Sequence, residues 1–309
     1  MKKIIPFDGK IKHAFKEMTK RIEESELIIN NDGSVFHLHL KPGELAENII
    51  LVGDPDRVKV VASYFDEIEL EKRNREFVST TGKYKGKRFS VVATGIGTDN
   101  IDIVMNELDA LVNVDFETRQ VKDQLTTLNL VRIGTSGSLQ KDLPVDSCLL
   151  SEKAIGFDGL LNFYANRDTV SDIAFENDFK TAVNWNEKLT SPYVVDASSE
   201  LLDKLSNNNF NTGVTISAPG FYGPQGRIIR LGLVDSDINE KISNFIYENF
   251  RITNYEMECS AIYGLSKLLG HRAATVCAII ANRKAGEYSK DYKPVIKTLI
   301  KKVLDSLAE

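Results

Sequence analysis

Short runs of apolar residues alternate with longer helical patterns along most of the chain. Helical periodicity occurs over 101–112, 259–269 and 294–307, and the last of these segments has Pro294 in its first turn, where proline is well tolerated. Strands buried on both faces are predicted for four short runs that carry apolar residues on both faces, which cover 49–52, 90–93, 129–133 and 274–280. Because no Gly/Ser linker, low-complexity tract or internal repeat divides this pattern, we predict a single α/β domain.

Residues 1–35 are polar and charged, with one modestly helical stretch over 10–29. We interpret them as an N-terminal extension that packs on the main domain formed by residues 36–309. The first residues carry charge but no apolar stretch of the kind that a secretory signal contains. No apolar run approaches the roughly 20 residues that a membrane-spanning helix requires, so we expect a cytoplasmic protein without membrane contact.

The composition is that of an ordinary soluble globular protein, with 42% hydrophobic and 27% charged residues among 309. The formal net charge of -5 argues against broad nucleic-acid binding, so an anionic substrate would have to be held by a local cluster of arginines. Cys148, Cys259 and Cys277 lack the spacing of metal ligands. We interpret them as reduced core residues, a catalytic thiol being the less favoured alternative.

Three of the predicted strands are followed by loops that contain glycine. The first two are Gly-Asp-Pro-Asp-Arg at 53–57 and Thr-Gly-Ile-Gly at 94–97. In the third segment, Arg-Ile-Gly-Thr-Ser-Gly at 132–137, the arginine lies in the strand and the glycines follow it. Glycine lets backbone amides approach an anion, and Arg57 and Arg132 present planar guanidinium groups, so together they suit a dianion such as phosphate. Each loop taken alone is explained equally well as a tight turn. Residues 94–97 also lack the full dinucleotide pattern, which leaves a nucleotide-dependent dehydrogenase weakly supported.

Two glutamates stand immediately before the apolar helix predicted at 259–269. Glu256 and Glu258 flank Met257 in the segment Asn-Tyr-Glu-Met-Glu-Cys-Ser-Ala. One interpretation is that they are acids favoured at a helix start by the macrodipole. The other is that a carboxylate accepts hydrogen bonds from sugar hydroxyls while the methionine lies against the apolar face of the sugar ring.

Residues 221–227, Phe-Tyr-Gly-Pro-Gln-Gly-Arg, form the most specific stretch of the sequence. Phe221, Gln225 and Arg227 combine an aromatic ring, a primary amide and a guanidinium. Such a set can stack on a base and form hydrogen bonds with its polar edge. A loop with one surface arginine is a weaker account of all three residues together.

These motifs, with 36–38, 75–77 and 282–283, resemble in kind and order those of the uridine phosphorylase branch of the nucleoside phosphorylase family. The resemblance extends from about residue 36 to the helix that ends near 307. It implies a mixed, partly barrel-like β-sheet flanked by helices on both sides. It also implies reversible phosphorolysis of uridine to uracil and ribose 1-phosphate, with deoxyuridine and thymidine as further candidate substrates. Inorganic phosphate is then a co-substrate, and no cofactor is required.

The resemblance also assigns the motifs to three subsites. Phosphate would be held by Gly53, Arg57, Arg132, Thr135 and the partner subunit's Arg75. Ribose would be held by Glu256, Met257, Glu258 and the partner subunit's His37. The base would be held by Phe221, Gln225, Arg227, Ile279, Ile280 and Arg283. The catalytic residues would be Arg132, Arg227 and Glu258.

Several residues bear on the choice among family members. Hydrolytic nucleosidases do not need the phosphate arginines, so Arg57, Arg75 and Arg132 favour phosphorolysis, and a noncatalytic nucleoside-binding relative would have no use for them. Purine-specific members place an aspartate after the late strand, where it can protonate the base. Asn282 stands at that position and cannot act as this acid, which favours a pyrimidine substrate.

Sharing of residues between subunits implies a homo-oligomer, a dimer at least and a hexamer if three dimers assemble. Some relatives bind potassium between subunits. Glu76 and the carbonyl of Ile96 match that site, and Asn100 stands where a serine is usual. Without the resemblance, His37 would be interpreted as an outward-facing residue of an edge strand.

Overall fold

The computed structural model describes residues 20–309, and twelve of the fourteen strands found there belong to one mixed sheet. The bounds of these strands are β1 (Asn48–Val52), β2 (Glu67–Asn74), β3 (Phe77–Tyr84), β4 (Lys87–Ala93), β5 (Val114–Asp115), β6 (Gln120–Val121), β7 (Asn129–Ser138), β8 (Cys148–Gly156), β9 (Tyr193–Asp196), β10 (Asn211–Ser217), β11 (Ile246–Tyr247), β12 (Phe250–Glu256), β13 (Arg272–Asn282) and β14 (Glu287–Tyr288). The short strands β5 and β6 pair separately.

Seven α-helices accompany the strands within residues 20–309. They are α1 (Pro55–Ala62), α2 (Thr98–Asn113), α3 (Ile173–Ala182), α4 (Ser199–Ser206), α5 (Ile238–Asn244), α6 (Cys259–Leu269) and α7 (Lys293–Ala308). The three helices predicted from periodicity are therefore confirmed as α2, α6 and α7. No helix in this part of the chain combines the length and the apolar character needed to cross a bilayer.

Five strands of the sheet form a closed ring. The hydrogen-bonded order β12-β10-β8-β13-β7 is completed by an antiparallel pairing of β7 with β12, through Ser138 opposite Asn254 and Gly137 opposite Tyr255. Outside the ring, β1, β4, β3 and β2 continue the sheet from β7 as an open extension. The predicted mixed and partly barrel-like sheet is confirmed.

Successive residues of the central strands face two different cores, because side chains alternate along a strand. Ile49 and Leu51 pack in the core that contains α2 and α6, whereas Ile50 and Val52 pack in the core that contains α1, α4 and α7. The four apolar runs are confirmed as parts of β1, β4, β7 and β13. Helices therefore cover both faces of the sheet, as predicted.

The strand β7 is longer than its apolar run. The sequence predicts a loop after residue 133, but the strand continues to Ser138 because its parallel pairing with β13 extends to Ser138 opposite Asn282. Its glycines therefore lie within the sheet, not in a turn, and that part of the prediction is wrong. The backbone of 134–138 is consequently held by β13 along its whole length, and at Gly137 and Ser138 it is held by β12 as well.

The segment before β1 is not helical where the structure describes it. Residues 20–29 form turns and end in an isolated bridge between Ile29 and Val35, which contradicts the predicted helix for that part of 10–29; the remainder lies outside the described residues. The carbonyls of residues 22, 23 and 27 accept hydrogen bonds from the buried guanidinium of Arg119. Turns also occupy 36–38, so the alternative of an edge strand around His37 is wrong.

Candidate functional site

A cavity of about 600 Å³ opens beyond the carboxyl ends of β1, β10, β12 and β13, where ligands gather in open α/β sheets. Twelve of the predicted site residues line it: Gly53, Arg57, Ile96, Arg132, Thr135, Phe221, Gln225, Arg227, Glu256, Met257, Glu258 and Ile280. A depression of about 690 Å³ around the start of α4 is larger but contains none of the predicted residues. The smaller cavity is therefore the candidate active site.

A buried arginine bound to two carboxylates forms one end of this cavity. Nη1 of Arg132 lies 3.1 Å from Oε2 of Glu256, and Nη2 donates to Glu258. Burial alone would lower the pKa of Arg132, but the charges of Glu258 and Glu256 raise it above the ordinary value. Arg132 is consequently a permanent cation at this end of the cavity.

The path of the Arg132 side chain depends on the absence of a side chain two residues later. Gly134 lies on the same face of β7, and a Cβ atom built there would be 2.1 Å from Nη1 and 2.7 Å from Cζ of Arg132. The Sγ atom of Cys277, on β13, accepts from Nη1 at 3.4 Å. The guanidinium is thus enclosed by two neighbouring strands as well as by its carboxylate partners.

The two glutamates have different surroundings. The carboxylate of Glu256 accepts hydrogen bonds from the hydroxyl of Ser217 at 2.5 Å and from the N–H groups of Glu258 at 2.9 Å and Cys259 at 3.0 Å. Burial raises the pKa of Glu256 to about 7, and the neighbouring Glu258 adds to this effect, while Arg132 opposes it. Glu256 thus satisfies the start of α6, as the helix-start interpretation proposes.

Glu258 faces the cavity between the glycine loop and the arginine. Its Oε1 accepts from the N–H of Gly97 at 2.8 Å, and its Oε2 accepts from Arg132. The side chain is nearly inaccessible to solvent. Because both oxygens are anchored, the carboxylate is held in one orientation beside Met257, which also lines the cavity.

Arg57 brings a second guanidinium to the same end of the cavity. It lies in the first turn of α1, and its Nη1 donates to the carbonyl of Ile133 at 3.1 Å. Burial lowers the pKa of Arg57, and the nearby charge of Arg132 lowers it further, although Asp54 opposes both effects. Two cations that repel each other favour binding of an anion between them.

Gln225 and two arginines form the other end of the cavity. Arg227 donates to Oε1 of Gln225 at 2.5 Å, and its guanidinium carbon lies 3.8 Å from the centroid of the Phe221 ring. Arg283 donates to the backbone carbonyl of Gln225, and burial together with the charge of Arg227 lowers its pKa to about 10. The oxygen of the amide is therefore already engaged by arginine, while its nitrogen is a donor. Arg283 itself lies behind Gln225, outside the cavity lining.

Two neighbouring residues of β13 face different environments, one the cavity and the other the hydrophobic core. Ile280 lines the cavity, whereas the fully buried Ile279 packs with Leu143 and Leu149. Asn282 is also turned to structural contacts. Its Nδ2 donates to two carbonyls of the 140–143 segment at 3.0 and 2.9 Å, and its Oδ1 accepts from a backbone N–H in the turn that follows. Neither Ile279 nor Asn282 reaches the cavity from this position.

His37 and Arg75 lie away from the cavity of their own chain. Nδ1 of His37 is 2.6 Å from Oε1 of Glu107, and the guanidinium carbon of Arg75 is 5.8 Å from the centroid of the Phe36 ring. The rings of His37 and Phe36 are themselves 4.8 Å apart. These residues share one surface, and their roles toward a second subunit stay predictions.

The three residues predicted to bind potassium lie close together around one glycine. A Cβ atom at Gly95 would be 2.3 Å from Nδ2 of Asn100 and 3.3 Å from Cγ of Glu76. Ile96 follows directly, with 68% of its surface exposed, and lines the cavity. A cation site here also stays a prediction.

Some residues that line the cavity are not identified by the sequence argument. They are Asp54, Pro55, Ser136, Gly137, Tyr255, Ala281 and Tyr288. Tyr255 and Ser136 are buried, and the Ser136 hydroxyl has no hydrogen-bond partner among the described residues. Ser136 follows Thr135 on β7 and Tyr255 precedes Glu256 on β12, so their only signal in the sequence is their position next to predicted site residues. Tyr288, on the short β14, has no such signal in the sequence.

Comparison with known proteins identifies the family. The model of the Phosphorylase superfamily matches residues 47–308. Uridine phosphorylase of Thermococcus kodakarensis is 28% identical over 275 residues, which cover 88% of this chain and 86% of that protein. A DeoD-type purine nucleoside phosphorylase of Listeria welshimeri is also 28% identical, over 252 residues that cover 81% of this chain and 88% of that protein.

A solved structure supports the same assignment. The nucleoside phosphorylase of Trypanosoma brucei, described as showing uridine phosphorylase activity, superposes with a TM-score of 0.82 at 29% identity, covering 91% of this chain and 99% of that one. Fold, motif order and family match agree over nearly the whole described chain. The resemblance seen in the motifs is confirmed, and the chain belongs to the phosphorylase superfamily.

Proposed function

We propose that the chain is a uridine phosphorylase, an enzyme that transfers the ribosyl group of uridine to inorganic phosphate. The observation that carries the proposal is the pairing of two subsites in one cavity. The Arg132–Glu258 pair at one end suits a phosphate and a sugar, and the Gln225–Arg227 pair at the other suits an imide base. Nucleoside phosphorylases among the relatives act on both base classes by name, so the base end decides the substrate.

Charge movement in the reaction fits the order of these groups. A phosphate oxygen forms a bond to C1′ as the bond from C1′ to N1 of the base breaks. Positive charge develops on the sugar and negative charge on the base, as in the oxocarbenium-like transition states of glycoside cleavage. Phosphate held by Arg57, Arg132, Thr135 and Gly53 would face the sugar, and Glu258 would accept hydrogen bonds from its hydroxyls.

Arg227 and Gln225 would stabilise the departing base. Arg227 would donate to the carbonyl oxygen that collects negative charge, which is where a preorganised donor lowers the barrier most. Gln225 would donate to the second carbonyl through Nε2, since its Oε1 is engaged by Arg227. Arg283 also approaches Oε1, at 3.4 Å, so acceptance of the N3–H by that oxygen requires one of the two arginines to move. The uracil anion then takes a proton from solvent.

The base end favours a pyrimidine over a purine. Its wall consists of Gln225, whose side chain is almost completely buried, backed by Arg283. The residue at the position of the purine-protonating acid is Asn282, and its side chain is occupied by the 140–143 and 282–285 turns. No acid from that position is available to protonate a purine.

Two further parts of the proposal concern assembly. The active form would be at least a dimer, in which the partner subunit's Arg75 joins the phosphate site and the partner subunit's His37 binds the sugar. Potassium would bind near Glu76, Asn100 and the carbonyl of Ile96. Activity that follows the dimer fraction on dilution, and that rises with added potassium chloride but not sodium chloride, would support these parts.

The test of the function measures release of free base from uridine, thymidine and inosine, with and without inorganic phosphate. We expect phosphate-dependent release of uracil and no hypoxanthine. Release that needs no phosphate would identify a nucleosidase and contradict the roles given to Arg57 and Arg132. Hypoxanthine in place of uracil would identify a purine enzyme. No release from any nucleoside by folded, oligomeric protein would identify a noncatalytic relative.

A further inference from the structure

The base end of the candidate site is backed by a second cavity. This cavity has a volume of about 550 Å³ and shares Arg227 and Ala281 with the lining of the first. Gly226 and Arg283 line it from the other side of Gln225. The loop that carries Gln225 is therefore a thin partition between two spaces, and its position fixes how deep the base end is.

Asn239, in the first turn of α5, holds this partition from behind. Its Nδ2 donates to the backbone carbonyl of Gln225 at 3.2 Å, and its Oδ1 accepts from the hydroxyl of Tyr255 at 3.1 Å. Tyr255 is fully buried and lines the substrate cavity. One amide thus ties the loop that would bind the base to the strand that leads into Glu256 and Glu258.

The contact is built into the backbone of the loop. Gly226 has a φ of +70°, a conformation that suits glycine, and a Cβ atom there would lie 2.2 Å from Nδ2 of Asn239. Any other residue would push the amide away from the carbonyl of Gln225. The hydrogen bond from Asn239 to the Gln225 carbonyl therefore requires glycine at position 226.

We propose that Asn239 is a positioning residue that sets the depth of the base end and so excludes bicyclic bases. The proposal rests on the proposed uridine phosphorylase function. Without the Nδ2 donor, the Gln225 loop loses one of the two groups bound to its carbonyl, Arg283 being the other. The loop can then shift into the second cavity, which weakens its hold on uracil and makes room for a larger ring.

The experiment compares Asn239→Ala and Asn239→Asp with a matched control, Asn244→Ala, which removes an exposed asparagine from the same helix. Asn239→Asp retains the size of the side chain and the acceptor for Tyr255 but removes the donor. We expect both Asn239 variants to raise the KM for uridine about tenfold, the scale of one hydrogen bond. The KM for phosphate should stay within about twofold, and inosine should become a stronger competitive inhibitor of uridine cleavage because the base end admits a larger ring.

The outcomes separate the two proposals. A wild-type protein that releases no uracil refutes the proposed function before any variant is measured. An active wild type with unchanged uridine KM and base selectivity in Asn239→Ala overturns the role of Asn239. Equal rises in both KM values, or the same change in Asn244→Ala, show a general structural effect and also overturn it. If Asn239→Ala fails to fold, Asn239→Asp decides, and wild-type kinetics in that variant refute the donor bond.

Discussion

Alanine at position 134 would place a methyl group inside the space now filled by the guanidinium of Arg132. The added Cβ would meet Nη1 at 2.1 Å, Cζ at 2.7 Å and Nη2 at 3.1 Å, all shorter than an ordinary contact. Position 134 is in the middle of β7, where parallel pairing with Cys277 of β13 and the paired residues before and after it in the strand restrain the backbone. Arg132 must move instead.

The cost follows from what holds Arg132 in place. A shift on the order of 1 Å would break its contacts with Glu256 and Glu258, and a misplacement of that size costs about 100-fold in rate. Separation of a buried ion pair costs roughly 3–5 kcal/mol of stability. We therefore expect Gly134→Ala to lower kcat/KM for phosphate about 100-fold and to lower the free energy of unfolding by a few kcal/mol.

The assay is the initial rate of uracil release over a range of phosphate concentrations, with urea unfolding measured on the same preparations. Gly232→Ala is the matched control, because a Cβ atom there meets no atom within 4 Å. We expect this control to retain the activity and stability of the wild type. A Gly134→Ala protein with kcat/KM for phosphate within about twofold of wild type would refute the reasoning, since Arg132 would then tolerate displacement.

Further predictions concern the base, the buried glutamate and the N-terminal segment. Arg227→Ala should lower kcat for uridine at least about 100-fold, the effect of losing an oxyanion donor, whereas Arg251→Ala, on an exposed ion pair, should not. Because burial raises the pKa of Glu256 to about 7 from 4.5, the folded state holds its proton more tightly, and stability should fall as the pH rises from about 4.5 to 7. Urea unfolding should show this decline in the wild type and not in Glu256→Gln; equal slopes would contradict it. Arg119→Ala should expose 22–27 to limited proteolysis while base release persists, and unchanged cleavage would contradict the anchoring role.

The sequence predicts the parts of the fold that depend on burial of neighbouring residues. The runs at 49–52 and 274–280 have apolar residues on both faces of the strand, as expected of a strand that is covered on both sides. The closure of the ring had no such signal. It depends on two residue pairs between β7 and β12 that are more than a hundred positions apart in the chain. The turn predicted at the glycines after Arg132 is wrong because it also depends on contacts distant in sequence. Pairing with β13 overrides the local preference of these glycines for a turn.

The sequence predicts those residues of the candidate site whose side-chain chemistry alone indicates the group that they would bind. Arg57, Arg132 and the Gln225–Arg227 pair were recognised by their planar donors, and all line the cavity. Residues whose contribution depends on the orientation of the side chain in the fold are harder to predict from the sequence. Ile280 faces the cavity and Ile279 faces the core because side chains alternate along the strand and the β13 register is irregular at this point. The hydrogen bond from Asn239 to the Gln225 carbonyl depends on where a helix distant in sequence packs.

Closure of the ring also orders events during synthesis of the chain. The strand β13 pairs with β7 over residues 129–138 and with β8 over residues 148–150, yet it is made more than a hundred residues after either. A nascent chain that has not reached residue 272 therefore carries two unpaired apolar strand edges, which are templates for association between chains. Ribosomal stalling after β8 and before residue 272 should yield the most aggregation-prone fragments of the protein. Once β13 has left the ribosome, its pairing with β7 and β8 covers both edges in one step.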